Sequence, residues 1–417
     1  MKKIIFLFSL IFILNSCSNP NRVYIELDEP KLNSILDSYV EQDIYPFLYS
    51  RIEDDKGKVI YEHSVVNRKI LGDEVVSGDS WIRIWSMTKL VTISILMDMV
   101  EDDLLDLNDD VLTYIPEFKN LKVAVDKNGI SLSKSKDKIN GCSYSLVPMN
   151  TKMTVENLMN HTAGFYYAYT GIACLDSMIS SKNIPIIANG DQLVNSLSTL
   201  PLIQHPGESY YYGLNTAVLG IIIERISGQS LSDVYNERIS IPFGIADLSY
   251  VLPKDEHLIP PFTGRYGNLR EAIENDLPIL GKYVPWYDKR NNLHLGGIGM
   301  VGTAKAYISF LRLLFYRDFN FLNKQTISRM SSKPIGSYSE DGYNTGYAFY
   351  LTSGERKYDK NILTVGGYEF TKGWLDRKNK LIGVLFSQVI DAQDKVGLGS
   401  QLEEDFKKEL FTQLNAK

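Results

Sequence analysis

Cysteine is scarce in this chain of 417 residues: there are three, Cys17, Cys142 and Cys174. So few exclude a disulfide-built scaffold, and nothing near them has the spacing of a metal site, so no metal is expected. Excess positive charge is missing too. With 44 Lys and Arg against 50 Asp and Glu the net charge is -6, which argues against a nucleic-acid partner. The apolar run at residues 4–14 falls short of the roughly 20 residues that a membrane-spanning helix needs. Internal repeats and low-complexity segments are absent. What remains is a globular composition, 44% hydrophobic and 23% charged, long enough to bury a large core. Its 26 tyrosines suit a cleft lined with amphipathic rings.

The short apolar run has a job of its own. Lys2 and Lys3 precede it and Leu14-Asn15-Ser16-Cys17 ends it, the layout of a signal peptide. The ending resembles a bacterial lipobox, which makes residues 1–16 a removable signal, Cys17 the lipidated first residue and residues 17–30 a polar tether. A protein so anchored stays at the cell envelope with a soluble body, touching the membrane only through its lipid. In an oxidising compartment Cys142 and Cys174 could bridge or stay as free thiols.

The chain is organised around Trp85-Ser86-Met87-Thr88-Lys89-Leu90. Residues 91–100 read as a buried helix closed by Glu101, Asp102 and Asp103. If the helix begins near Ser86, then Ser86 and Lys89 share a face with Cβ atoms about 5–6 Å apart. A hydroxyl beside an amine that can lose its proton is a nucleophile with a base at hand. The helix start adds free N–H groups where an acyl oxygen would gather charge. A four-residue match alone also describes a capping serine and a solvated lysine. Here it opens an apolar helix directly after a strand-like stretch, residues 81–84.

The ends of the chain mirror one another. Residues 32–39 have helical spacing, followed by strands at 47–53 and 58–63 joined by the turn Asp54-Asp55-Lys56-Gly57. At the far end 380–388 reads as a strand and 401–414 as an amphipathic helix. This predicts an α/β, more exactly α+β, sandwich: one antiparallel sheet from both chain ends, flanked by helices. Residues 31–120 and 293–417 form that part. Residues 121–292 form a mostly helical insertion within one catalytic unit, with helices at 154–160, 191–197, 216–226 and 231–238, and another helix follows Thr303. Aromatic loops lie at 165–169 and 283–287.

Four ordered motifs then carry a resemblance. Ile82-Arg83-Ile84-Trp85-Ser86-Met87-Thr88-Lys89, Leu158-Met159-Asn160-His161-Thr162-Ala163-Gly164, Pro206-Gly207-Glu208 with Tyr212 and Leu219-Gly220, and Gly296-Gly297-Ile298-Gly299-Met300-Val301-Gly302-Thr303-Ala304 follow the order of the serine β-lactamase-related superfamily. The chain resembles its class C β-lactamase, family VIII carboxylesterase and penicillin-binding protein branch over residues 32–414. The resemblance implies the β-lactamase/transpeptidase-like fold and an acyl-enzyme mechanism without metal or organic cofactor. It makes Ser86 the nucleophile, and Lys89 and Tyr212 the base pair, with Tyr211 as the rival phenol. It gives His161 a structural role, while His205 reads as a loop residue.

Two departures matter. Gly213 and Leu214 stand where β-lactamases carry Ser or Ala and then Asn, and Asn215 could replace that amide only with a shifted backbone. The family's Lys/His-Thr/Ser-Gly triplet is matched only by Val365-Gly366-Gly367-Tyr368, closer to the Trp-Gly-Gly of esterases. Gly366, Gly367 and Tyr368 are then the substrate-binding edge, with the Ser86 and Tyr368 N–H groups as oxyanion donors. Both departures favour a carboxylesterase on a small ester or peptide-like amide over a D,D-peptidase, D-aminopeptidase, β-lactamase or non-turning-over penicillin sensor.

Overall fold

A computed structural model describes residues 25–416 apart from 136–141, 265–267, 274–275, 277–284, 316–320, 333–338, 341–342, 348, 353–361 and 391–400. The signal and lipobox reading, with Cys17, lies outside the described residues, as do Tyr283 and Val284 of the second aromatic loop.

Helix Glu29–Glu41 buries Leu32, Leu36 and Val40, a stripe at 3.6-residue spacing. It begins inside the expected tether, with Pro30 in its first turn, where a missing N–H costs nothing. Strands Phe47–Asp54 and Val59–Val66 follow. The Asp54 carboxylate accepts hydrogen bonds from the N–H groups of Lys56 and Lys58, each at 2.9 Å, and Gly57 takes φ +80°. That is how the predicted turn closes.

These two strands complete an eight-stranded antiparallel sheet. Its spatial order is Ser339–Glu340, Tyr343–Thr345, Tyr350–Thr352, Leu363–Gly367, Thr371–Asp376, Leu381–Phe386, Phe47–Asp54, Val59–Val66. Strands from both chain ends meet where Tyr49 pairs with Phe386 and Asp54 with Leu381. Helix Gln401–Asn415 packs beside helix Glu29–Glu41. The expected fold class is the one observed, and the three strands between 339 and 352 extend the sheet beyond the sequence-based reading.

The other face of the sheet carries helix Thr88–Glu101, whose residues from Thr88 through Met97 are all buried, and helix Ala304–Phe315, whose start Thr303 caps through Ala306. The stretch expected as a strand at 81–84 shortens to Ile82–Arg83, paired with Val301–Gly302, itself paired with Leu248–Ser249. A single-turn 3-10 segment, Trp85–Met87, carries Ser86 and precedes the α-helix.

The middle of the chain supplies helices Val155–Met159, Gly190–Leu197, Asn215–Ser227 and Leu231–Tyr235. Gly228 ends one at φ +70° and Ser230 caps the next. Beyond Tyr235 the expected helix widens into a π-helical turn, Asn236–Ser240. One hydrophobic cluster runs without a break from Leu32 through these helices to Phe411. Ser86 sits in it, between sheet and middle helices. Cys142 and Cys174 are not joined in a disulfide; the first is exposed and the second buried.

Candidate active site

Four chain segments converge on Ser86, and the reason each can do so is visible in its residues. Trp85, just before it, holds a left-handed φ of +45°. For a bulky residue that is a strained conformation. It turns the chain from strand into helix and leaves Ser86 half-exposed while Trp85 and Met87 are buried. Three residues on, Lys89 is 3% exposed.

Lys89 has three hydrogen-bond acceptors: Ser86 Oγ at 3.1 Å, the Gly297 carbonyl at 2.8 Å and Tyr167 Oη at 3.3 Å. An ammonium has three hydrogens, so these partners use them all. Tyr212 Oη donates to Ser86 Oγ at 2.8 Å. The Lys89 nitrogen also lies 4.8 Å from the Tyr212 ring centroid and 5.6 Å from that of Tyr167, within cation–π range. Burial lowers the Lys89 pKa to about 7, because a desolvated ammonium is disfavoured. Near neutral pH a large share of the molecules therefore holds a lysine able to take a proton.

The glycines of the fourth motif let two helices close on that lysine. A Cβ on Gly296 would stand 2.7 Å from the Thr216 carbonyl and 3.0 Å from Thr92 Cγ2. The chain there threads between helix Thr88–Glu101 and helix Asn215–Ser227, fastened by Thr92 Oγ1 to the Gly296 carbonyl at 2.7 Å.

His161 lies under Tyr212, ring centroids 4.7 Å apart. Burial, followed by the charge of Lys89, lowers its pKa to about 3, so it is neutral and fits no acid–base role near pH 7. Its φ is +56°, its carbonyl accepts from Tyr211 N at 2.7 Å, and its Nδ1 meets Asn215 Nδ2 at 3.0 Å. With the amide as donor, the ring proton sits on Nε2. Gly207 N donates to the Thr162 carbonyl at 2.9 Å, tying the second and third motifs together. His205 Nδ1 accepts from Asn150 N at 3.3 Å, a loop contact.

The two departures have physical causes. A Cβ on Gly213 would collide with the Phe165 carbonyl and stand 2.6 Å from Tyr166 Cα, so the close approach of loop 165–169 demands glycine there. Leu214 is 1% exposed and Asn215 is fully buried, its amide turned to His161; it does not replace the missing asparagine. The strand expected at the sheet edge, Leu363–Gly367, instead lies between Tyr350–Thr352 and Thr371–Asp376, because three further strands extend the sheet past it, and its Val365 is buried. Lys372, the register partner of Gly366, is 3% exposed at its side chain and ion-paired with Glu403 at 3.2 Å, under helix Gln401–Asn415. Its charge belongs to that pair.

Gly367 lies against the nucleophile segment: a Cβ there would stand 2.5 Å from the Ile84 carbonyl. Tyr368, half-buried, meets the Trp85 ring edge-on with centroids 5.6 Å apart. Of the predicted substrate-binding residues, Gly367 and Tyr368 are thus brought against the two residues before Ser86, while Gly366 faces Lys372. Tyr167 and the Gly297 carbonyl, both partners of Lys89, are not among the predicted site residues; the aromatic run at 165–169 was the signal for the first, and the fourth motif for the second. Tyr169 stacks on Tyr167 at 5.8 Å and is 51% exposed, which puts an aromatic rim on this side.

The structure is a sheet built from both chain ends, with a serine, a lysine and a phenol meeting beside its strand Leu363–Gly367. The family is shown by sequence: a family model described as Beta-lactamase matches residues 55–396, and the chain belongs to that family. Among curated relatives, Protein Rv1367c of Mycobacterium tuberculosis is 26% identical over 257 residues, 62% of this chain and 59% of that protein. Lovastatin esterase of Penicillium rubens is 24% identical over 401 residues, 87% of this chain and 93% of the relative. Among solved structures, EstCE1, a hydrolase with promiscuous acyltransferase activity, matches with TM-score 0.74 at 16% identity, covering 92% of this chain and 98% of that one; that likeness concerns the fold.

Proposed function

We propose that this protein is an exported serine hydrolase of carboxylesterase type, lipid-anchored at the cell envelope through Cys17, that cleaves small uncharged esters through an acyl-enzyme. One observation carries the chemistry: Ser86 Oγ lies 2.8 Å from Tyr212 Oη and 3.1 Å from a lysine whose pKa is lowered to about 7. Ser86 attacks the ester carbonyl while the Lys89–Tyr212 pair takes its proton and hands it to the departing alkoxide. Both groups reach the serine oxygen, so the pair serves as the base. The N–H groups of Ser86 and Tyr368 hold the oxyanion, worth about 3–4 kcal/mol for one donor. Water, activated by the same pair, then releases the acid.

The preference for uncharged esters rests on what replaces the polar anchors. Val365 and Leu214 are buried and apolar, and Lys372 is bound to Glu403. A substrate carboxylate or side-chain amide, as β-lactams and D-Ala peptides bring, finds no partner at those places and would be desolvated at a cost. The names of the esterase relatives agree with this reading.

A fluorescent fluorophosphonate should label the purified protein and fail on Ser86→Ala. Steady turnover of short-chain p-nitrophenyl esters, without turnover of nitrocefin or D-Ala-D-Ala peptides, supports the esterase. A burst of one equivalent without turnover points instead to a penicillin sensor, and peptide release to a peptidase. Run on producing cells, the same labelling should partition into detergent, and Cys17→Ala should move it to the aqueous phase.

A further inference from the structure

Tyr212 is borne on chain without regular structure: residues 203–214 belong to no helix or strand. A phenol that must stay 2.8 Å from Ser86 Oγ needs firmer support than a loop gives by itself. Ser209, three residues before it, is gripped from both sides. Gln204 is 0% exposed, and both ends of its amide turn to Ser209. Its Nε2 donates to the Ser209 carbonyl, and its Oε1 accepts from Ser209 Oγ at 2.7 Å. A carbonyl can only accept, which fixes the end of the amide that is nitrogen. The same nitrogen faces the Thr162 carbonyl at 3.5 Å.

Each end of this grip is anchored. Behind Gln204, Ile203 N donates to the Gly164 carbonyl at 2.9 Å and Leu202 N to the Lys122 carbonyl at 2.8 Å. A Cβ on Gly164 would stand 2.5 Å from the Gln204 carbonyl, so the two segments meet backbone to backbone. Between Gln204 and Ser209 the chain turns, with Gly207 at φ +82°, and Glu208 closes the turn. Its Oε2 accepts from His205 N at 3.1 Å and from Ser131 Oγ at 2.6 Å, while its Oε1 pairs with Lys134 at 3.1 Å. Past Ser209, Tyr211 N donates to the His161 carbonyl at 2.7 Å, and the Tyr212 ring leans on the His161 ring. The phenol thus stands on a closed loop of chain whose ends the Gln204 amide joins.

We propose that Gln204 is a positioning residue for the phenol of the base pair, fixing Ser209 and with it the direction in which Tyr212 leaves the loop. Buried as it is, it touches no substrate and acts only through Tyr212. Without the amide, the Ser209 carbonyl and hydroxyl lose these partners, and the tyrosine run gains freedom. A misplacement of about 1 Å costs about 100-fold in rate. The proposal rests on the acyl-enzyme reading of Ser86 and Tyr212, whatever ester is cleaved.

A double-mutant cycle, read by the rate of fluorophosphonate labelling, tests this. It compares wild type, Gln204→Leu, Tyr212→Phe and the double variant. Gln204→Leu should slow labelling by about 10- to 100-fold. In the Tyr212→Phe background the same change should cost less than about twofold, because the hydroxyl it positions is already gone. A residue that only supports the fold would cost the same in both backgrounds, and that result overturns the proposal. So does a Gln204→Leu protein that labels at the wild-type rate. If the cycle shows the expected coupling but wild type turns over no p-nitrophenyl ester, the esterase reading falls and this one stands. Should Gln204→Leu not fold, Ser209→Ala opens one half of the grip and enters the same cycle. Its loss should be smaller, about two- to tenfold for one hydrogen bond, and should likewise vanish beside Tyr212→Phe. Equal losses in the two backgrounds overturn the positioning role.

Discussion

The two sides of Ser86 are built differently. On the lysine side each polar atom that faces the serine is engaged: Lys89 has three acceptors, and Tyr212 reaches the serine oxygen. On the side of strand Leu363–Gly367, glycines take the place of side chains, and behind them five buried polar atoms of Arg83, Trp85, Tyr287 and Glu369 have no hydrogen-bond partner among the described residues. A saturated network is rigid and exacting, so deleting one member should hurt chemistry more than folding. A turn that relies on backbone contact should respond to shape before charge. On the proposed reading, the difference separates where the reaction would be driven from where the substrate would be fitted.

The largest effects should come from the saturated side. Lys89→Met and Tyr212→Phe should each slow fluorophosphonate labelling by about 100- to 10,000-fold. The double variant should be no slower than the worse single one, because the two act as a unit. A Tyr212→Phe protein that labels at nearly the wild-type rate removes the phenol from the base. The pH dependence has a definite sign. Burial lowers the Lys89 pKa to about 7 in the fold from its ordinary 10.5. Acylation should therefore rise with pH through about 7, as the amine becomes neutral. Stability follows the same group: between about 7 and 10.5 the unfolded chain holds the extra proton, so this contribution strengthens as pH rises and is lost as pH falls through 7. Urea titrations of wild type should show that slope, and Lys89→Met should lack it.

The side of strand Leu363–Gly367 should separate two adjacent glycines. Gly367→Ala would put a methyl 2.5 Å from the Ile84 carbonyl and against Thr371 Oγ1, backbone and side chain that cannot both retreat. It should cost about 1–3 kcal/mol in stability and lower kcat as the turn is pushed from Ser86. Gly366→Ala would meet the Lys372 side chain at 3.3–3.4 Å and the Thr371 carbonyl at an ordinary 3.5 Å. Its effect on denaturation midpoint and on kcat should be small. Equal losses in the two variants would erase the distinction drawn between shape and charge.

These glycines also show how far the sequence could be read. Periodicity marked the sheet ends and the buried helix, because apolar spacing is a local property. Ser86 and Lys89 were legible from three-residue spacing; Tyr212 needed a family resemblance, since 126 residues separate it from Ser86 and no local rule links them. Gly213 reads as a departure, and only packing against Phe165 explains it. Asn215 was readable as a stand-in amide, yet helix Asn215–Ser227 turns it to His161. Glu369 gave no signal at all: a glutamate in a turn reads as solvated, and burial is a fact of the assembled fold. Tyr167 was visible only as one ring in an aromatic run, its hydroxyl contact being set by how loop 161–169 folds back on Lys89.

That hydroxyl offers the finest probe of the saturated side. Tyr167→Phe keeps the ring that stacks on Tyr169 and lies 5.7 Å from that of Tyr212 and removes one of the three acceptors of Lys89. A buried ammonium that loses an acceptor is less stable relative to the amine, so its pKa falls further. The acid limb of the acylation profile should therefore move below pH 7, by less than about one unit, since one neutral hydrogen bond is worth about 0.5–1.5 kcal/mol. At pH 8, where the amine already predominates, the rate should change by less than about tenfold. A limb displaced upward would mean that Tyr167 acts on the neutral amine instead, as a donor to its lone pair. The saturated network would then have to be redrawn with Lys89 uncharged at rest and the serine proton already shared with it.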